Sequence, residues 1–219
     1  PMKKTSWILP EEQPEIISRL LKFGLIKFDN ERNLPLKNGG KTDIYINLRD
    51  ARDNPKAISF ISDLYKIPLS RLSIQRFVEV PDSVSCFAGP LSMKMGIPYL
   101  TIREQAKEGR VADANVIGHS TKGENVCIID DVITNGASKV VPYKQCLKLG
   151  LRNQALVVLV DRQQGWEPYL KERNIDLLVW AGMTLHDVRR NLIEMGAMQR
   201  CNPAVEEKNR LIVALDGMS

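Results

Sequence analysis

The sequence predicts an α/β domain, a central mainly parallel sheet flanked by helices and preceded by a small N-terminal cap. Three observations predict it. From about Ile74 onward, short β-rich runs alternate with helical stretches, the pattern of strands joined by crossover helices. Several runs, such as Val-Cys-Ile-Ile at 126–129 and Ala-Leu-Val-Val-Leu-Val at 155–160, are continuously apolar rather than alternating, so both faces of those strands are covered. The 219 residues are 43% hydrophobic and 26% charged, enough to bury a sizeable core without disulfides or metals.

Taken in chain order, a helix is expected at 15–23, then a turn at Asn38-Gly39-Gly40 and an alternating strand at 43–48, which together make the cap. A helix at 56–67 links the cap to the core. Core strands are expected at 75–80, 97–102, 125–129, 154–160 and 175–180, with helices at 83–95, 136–149, 166–173 and 184–195 between and after them. Gly136 and Gly150 punctuate two helix ends. Residues 104–121 are polar, contain glycine and lack periodicity, so they are expected to form an exposed loop long enough to act as a lid.

Charge and cysteine usage exclude several classes. The 31 basic and 26 acidic residues leave +5, with no block of five or six like charges, so no nucleic-acid partner is indicated and a small anionic substrate suits the balance. The four cysteines, Cys86, Cys127, Cys146 and Cys201, have no Cys-x-x-Cys spacing, which argues against a disulfide framework or a zinc site and for a cytoplasmic location. No apolar run approaches the roughly 20 residues of a membrane span, and the N-terminus lacks the order of a signal peptide, so no membrane association is expected.

The most informative stretch is 126–138, Val-Cys-Ile-Ile-Asp-Asp-Val-Ile-Thr-Asn-Gly-Ala-Ser, an apolar strand, two acids, two apolar residues and a small polar turn that opens a helix. A helix start carries unpaired N–H groups and a partial positive charge, and Thr134, Asn135, Gly136, Ala137 and Ser138 are small enough to let a phosphate approach them. Asp130 and Asp131, at the carboxyl end of a central strand, stand where an open α/β sheet places its ligand crevice. They can accept hydrogen bonds from ribose hydroxyls or organise a magnesium ion. A strand end followed by an ordinary helix cap is the plain alternative. Neither a Walker loop nor a Rossmann fingerprint is present at a strand-to-helix turn.

This stretch resembles the phosphoribosyl-diphosphate motif of type I phosphoribosyltransferases. Residues 36–49, Leu-Lys-Asn-Gly-Gly-Lys-Thr-Asp-Ile-Tyr-Ile-Asn-Leu-Arg, resemble the N-terminal signature of the orotate phosphoribosyltransferases within that family, as do Val-Leu-Val-Asp-Arg-Gln-Gln-Gly at 158–165 and Ile-Arg-Glu-Gln-Ala-Lys at 102–107. The resemblance implies a type I phosphoribosyltransferase-like fold over residues 1–200. It also implies transfer of a phosphoribosyl group from phosphoribosyl diphosphate to orotate, giving orotidine monophosphate and diphosphate in pyrimidine biosynthesis. Under it Lys37, Arg103 and the catalytic Lys107 serve the diphosphate, Asp130 and Asp131 orient the ribose, and the 134–138 turn holds the 5′-phosphate. Tyr45 lies near the orotate ring and Arg162 pairs with the orotate carboxylate. Magnesium is the implied cofactor, bound through the substrate's diphosphate and ribose, and a homodimer is the implied assembly, one subunit's loop closing over its neighbour's diphosphate.

Two departures open a second reading, a phosphoribosyltransferase-like domain with weakened or lost turnover that serves ligand binding or assembly. In the family the mobile loop begins Arg-Lys-x-x-Lys-x-His-Gly, whereas 103–110 here is Arg-Glu-Gln-Ala-Lys-Glu-Gly-Arg, with Glu104 in place of a lysine. The second departure is at 79–85, where Glu79 and Asp82 are expected to add two acids near an anionic ligand. The tail at 201–219 contains Arg-Leu-Ile-Val-Ala-Leu-Asp-Gly, similar to the opening strand of orotidine monophosphate decarboxylases. That likeness implies a fused decarboxylase, as in a bifunctional uridine monophosphate synthase, and an ordinary terminal strand is its alternative.

Overall fold

A computed structural model describes residues 6–31, 33–35, 40–103 and 115–199. The expected positions Lys37, Glu104, Lys107 and Arg110, and the tail at 201–219, lie outside the described residues.

The chain runs through α1 (Gln13–Lys22), four short strands β1 (Ile26–Phe28), β2 (Leu34–Pro35), β3 (Lys41–Thr42) and β4 (Ile44–Ile46), and a 3-10 helix at Leu48–Asp53. It continues through α2 (Pro55–Leu69), β5 (Arg76–Glu79), α3 (Ser85–Met95), β6 (Tyr99–Ile102), β7 (Val116–Ile117) and β8 (Asn125–Ile133). A short 3-10 turn at Ala137–Lys139 leads into α4 (Val140–Lys148), followed by β9 (Arg152–Asp161), α5 (Trp166–Lys171), β10 (Val179–Thr184) and α6 (Leu185–Glu194). The main sheet has the order β10-β9-β8-β5-β6-β7, parallel throughout except for β7.

The apolar runs of β8 and β9 are covered on both sides, as their composition requires. Successive residues alternate between two cores. Cys127 and Ile129 of β8, with Ala155, Val157 and Leu159 of β9, face a core that includes Ile17 of α1, Tyr65 of α2, Phe87 of α3 and Val188 of α6. Val126, Ile128, Leu156 and Val158 face a second core with Cys146 of α4 and Leu170 of α5. The N-terminal region shares the first core. Trp7 donates from its indole to the Val158 carbonyl at 3.1 Å and from its backbone to Ala181. Gly182 of β10 permits that approach, because a Cβ there would lie 2.8 Å from both Ile8 and Trp7.

Several expected boundaries move. The strand expected at 125–129 runs on to Ile133, because β9 continues beside it as far as the Ile133–Asp161 register pair. Asp130 and Asp131 are therefore within a strand and not at its end. The last strand is Val179–Thr184 rather than 175–180, with Ile175 and Leu177 instead filling the second core. The alternating strand at 43–48 shortens to Ile44–Ile46, since Asn47 caps the following 3-10 helix by accepting from Arg49 N. Part of the expected lid is sheet: β7 pairs antiparallel with β6 at Thr101–Ile117.

The chain leaves β5 toward β6 on one side and returns to β8 on the other, so the β5/β8 boundary is where the strand order reverses. Loops leaving the carboxyl ends of two such strands diverge and leave a crevice between them. Here those loops are 80–84 and 134–139.

Candidate functional site

A cavity of about 1400 Å³ opens at this crevice. Asp130, Asp131, Thr134, Asn135 and Ser138 line it on the β8 side, and Tyr45, Arg103 and Arg162 also line it. Eight residues expected from sequence therefore line one cavity.

The turn after β8 has the small residues expected, but the α-helix expected from 136 begins only at Val140, with a 3-10 turn at Ala137–Lys139 between. Asn135 accepts from the Ala137 N–H at 3.1 Å through Oδ1, and Gly136 takes φ +84°, a left-handed conformation that side chains disfavour. A Cβ at Gly136 would also meet Leu170 and Trp166 of α5 at 3.3 Å, so α5 packs directly on the turn. Gly136 and Ala137 thus shape the backbone of the cradle, while Thr134, Asn135 and Ser138 face the cavity.

Both acids are buried, Asp130 at 1% and Asp131 at 7% exposure. Asp130 is fully engaged. Its Oδ1 accepts from the Asp131 N–H at 2.8 Å, and its Oδ2 pairs with the ammonium of Lys139. Asp131 accepts from the Val132 N–H at 2.7 Å through Oδ1, and its carboxyl also lies against that of Asp130. Burial, reinforced by the charge of Asp130, pushes the Asp131 carboxyl up to about 7. Behind the acids, Tyr65 of α2 donates its hydroxyl to the Asp130 carbonyl and locks the strand in place. Burial, and then the charges of Asp131 and Asp130, hold that phenol well above its ordinary value.

Arg162 lines the same cavity. Its side chain is buried, Nη2 donates to Thr42 Oγ1 at 3.2 Å, and Nε has no hydrogen-bond partner. The neighbouring acids do not neutralise it by a hydrogen bond. Asp161 accepts from Gln163 N and Trp166 Nε1, which builds the turn into α5, and Asp43 receives a bidentate pair from Arg189 of α6 at 2.7 to 3.0 Å. Burial lowers the Arg162 affinity for its proton, partly offset by the Asp43 charge. An arginine so placed has donors to spare for a planar anion. Tyr45, half-buried on β4, also lines the cavity.

The β5 side departs from expectation at one residue. Glu79 does not line the cavity; its carboxylate is buried against β6, where Oε1 accepts from the Thr101 hydroxyl. β5 and β6 pair at Glu79–Thr101, and that register takes the side chain away from the ligand. Asp82 does line the cavity, with φ +66°. Two residues given no role from sequence join it there. Arg49 reaches Ser83 Oγ at 3.5 Å and keeps a buried, unpartnered Nε, while Lys139 lies at the floor of the phosphate turn. Arg49 ends the N-terminal signature and Lys139 directly follows the diphosphate motif, so adjacency was the available signal for both.

Known proteins agree with this geometry. No family model matches the chain. The orotate phosphoribosyltransferase of Pyrobaculum islandicum is 30% identical over 152 residues, covering 68% of this chain and 75% of that protein. A Leishmania donovani UMP synthase superposes with a TM-score of 0.70 at 27% identity, over 84% of this chain; the chain spans 39% of that protein's length. The orotate phosphoribosyltransferase of Aeropyrum pernix superposes with a TM-score of 0.66 at 22% identity, over 83% of this chain and 98% of that one, which establishes the fold. With a cavity at the sheet's switch point and a 30% identical relative matched over three quarters of its length, the chain belongs to the orotate phosphoribosyltransferases.

Proposed function

We propose that the protein joins orotate to the phosphoribosyl group of phosphoribosyl diphosphate, giving orotidine monophosphate and diphosphate. One observation carries the assignment of roles: a phosphate-sized turn and a buried, under-partnered guanidinium face the same cavity, with two carboxylates beside the turn. In this reading the 134–138 turn holds the 5′-phosphate, Asp131 accepts from the ribose, Arg162 pairs with the orotate carboxylate and Tyr45 flanks the ring. Arg103, with Lys37 and Lys107, serves the diphosphate.

As orotate N1 approaches the anomeric carbon and diphosphate departs, positive charge grows on the ribose. No covalent bond to the protein is needed, so the side chains act by positioning and by meeting charge as it develops. Among the described residues no group of three or more His, Cys, Asp or Glu could hold a metal ion, and Asp130 is already committed to Lys139. This donor set suits a magnesium ion whose oxygens come from the substrate's diphosphate and ribose. Such an ion supplies charge neutralisation for the leaving group. A homodimer in which the loop that begins at Arg103 serves the neighbouring site, and continuation into a decarboxylase, belong to the same proposal. Among the described residues no helix is long and apolar enough to cross a membrane.

The test is formation of orotidine monophosphate from both substrates with magnesium, alongside calorimetric binding of each ligand. Product formed at a rate above a heat-inactivated control supports the proposal. Tight binding of orotidine monophosphate without turnover would instead make this a ligand-binding member of the family, and binding of neither would overturn the site.

A further inference from the structure

We infer that Lys139 is a positioning residue for the phosphoribosyl group, its buried ammonium joining the Asp130 carboxylate to the Ser138 hydroxyl and setting both halves of the cradle. The inference rests on the assignment of the 134–138 turn as the 5′-phosphate site.

The Lys139 side chain is 4% exposed and its partner Asp130 2%, yet the lysine lines the cavity rather than the apolar core. From one position Nζ donates to Asp130 Oδ2 and, at 3.0 Å, to Ser138 Oγ. The serine oxygen is then the acceptor in that contact, and its own O–H proton is left to turn toward a phosphate oxygen. On the other side, the lysine and the Asp131 N–H occupy both oxygens of Asp130. With both Asp130 oxygens held, Asp131, which also lines the cavity, is the acid left to meet the ribose.

Charge gives a second reason. A dianionic phosphate seated beside two carboxylates in a buried site is opposed by like-charge repulsion that the low local dielectric strengthens. Residues 130–138 contain no lysine or arginine of their own. Lys139, reaching back across the tight 3-10 turn, places a cation between the acids and the phosphate position. Stability alone is a poor reason for it, since buried ion pairs contribute little net stability compared with well-packed apolar residues.

Titration of ribose 5-phosphate and, separately, of orotate into wild type, Lys139→Met, Lys139→Arg, Asp130→Asn and Asp130→Asn/Lys139→Met tests this. Wild type should bind ribose 5-phosphate, Lys139→Met should lose about tenfold or more in that affinity, and Lys139→Arg should recover part of it. Orotate, proposed to pair with Arg162, should bind all five proteins alike. The double variant removes Asp130 and Lys139 together, so no unpaired Asp130 charge is left behind, and so guards against failure of Lys139→Met to fold; it should bind ribose 5-phosphate about tenfold or more weakly than Asp130→Asn alone. Equal affinities in that last comparison would reduce Lys139 to a structural partner of Asp130. A wild type that does not bind ribose 5-phosphate would sink the phosphate-site assignment itself.

Discussion

Replacing Arg162 by Met isolates what the guanidinium contributes, because methionine fills similar space without charge. In the free protein that guanidinium is buried, donates one hydrogen bond to Thr42 and leaves Nε unsatisfied. Its removal should therefore leave thermal stability unchanged or slightly raised, since the burial of this charge outweighs its one hydrogen bond and the attraction of Asp43. Orotate binding should respond in the opposite way. Hydrogen bonds to a charged group contribute about 1.5–3 kcal/mol each, and a forked contact to a carboxylate supplies two, so a loss of about 3 kcal/mol or more is expected. At 1.36 kcal/mol per tenfold, that is roughly a hundredfold or greater loss in orotate affinity. Phosphoribosyl diphosphate, proposed to bind at the 134–138 turn, should bind within about threefold of wild type, a difference under 1 kcal/mol. Calorimetric titration of each substrate, with melting curves of both proteins, measures all three quantities. Equal losses for the two substrates, or a marked fall in melting temperature with orotate affinity intact, would refute the reasoning and make Arg162 a structural residue.

Three other outcomes follow from the same geometry. Asp131 keeps a proton in the folded state up to about pH 7 that the unfolded chain releases near its ordinary value of 3.8, so this group's contribution to stability is full below about pH 4, falls as pH rises through that window and is gone above it. Subtracting the pH dependence of unfolding of Asp131→Asn from that of wild type should reveal this slope, and superimposable profiles would contradict it. Gly136→Ala should lower both melting temperature and orotidine monophosphate affinity, because it combines a φ of +84° with contacts at 3.3 Å to α5; strain of about 1–2 kcal/mol is expected, and a neutral substitution would mean that the turn relaxes freely. Glu104→Lys, which restores the cation of the family's loop, should raise turnover with little change in product affinity, as the product lacks the diphosphate. Steady-state kinetics with calorimetry of orotidine monophosphate separates the two effects.

The turn at 134–138 was legible in the sequence because its determinants are local. An apolar strand, a run of small residues and a glycine able to take positive φ lie within 126–138, and the backbone they specify needs only neighbours in the chain. The two-faced apolar runs likewise determined that β8 and β9 would be central strands. Tertiary structure decided the rest. β8 extends past the acids because β9 supplies hydrogen-bonding partners as far as Asp161, a fact about the neighbouring strand and not about Asp-Asp-Val-Ile itself. Glu79 leaves the ligand cavity because its register opposite Thr101 provides a hydroxyl. Arg162 meets Thr42 across 120 residues of sequence, and it has no hydrogen bond to Asp161 or Asp43, which accept from Trp166 and Arg189 instead. Lys139 turns inward because Asp130 and Ser138 sit within its reach once the turn has closed. Periodicity and small-residue patterns act over a few residues and survive in the linear string, whereas the charge state, partners and openness of each site residue depend on what packs beside it, which only the folded chain determines.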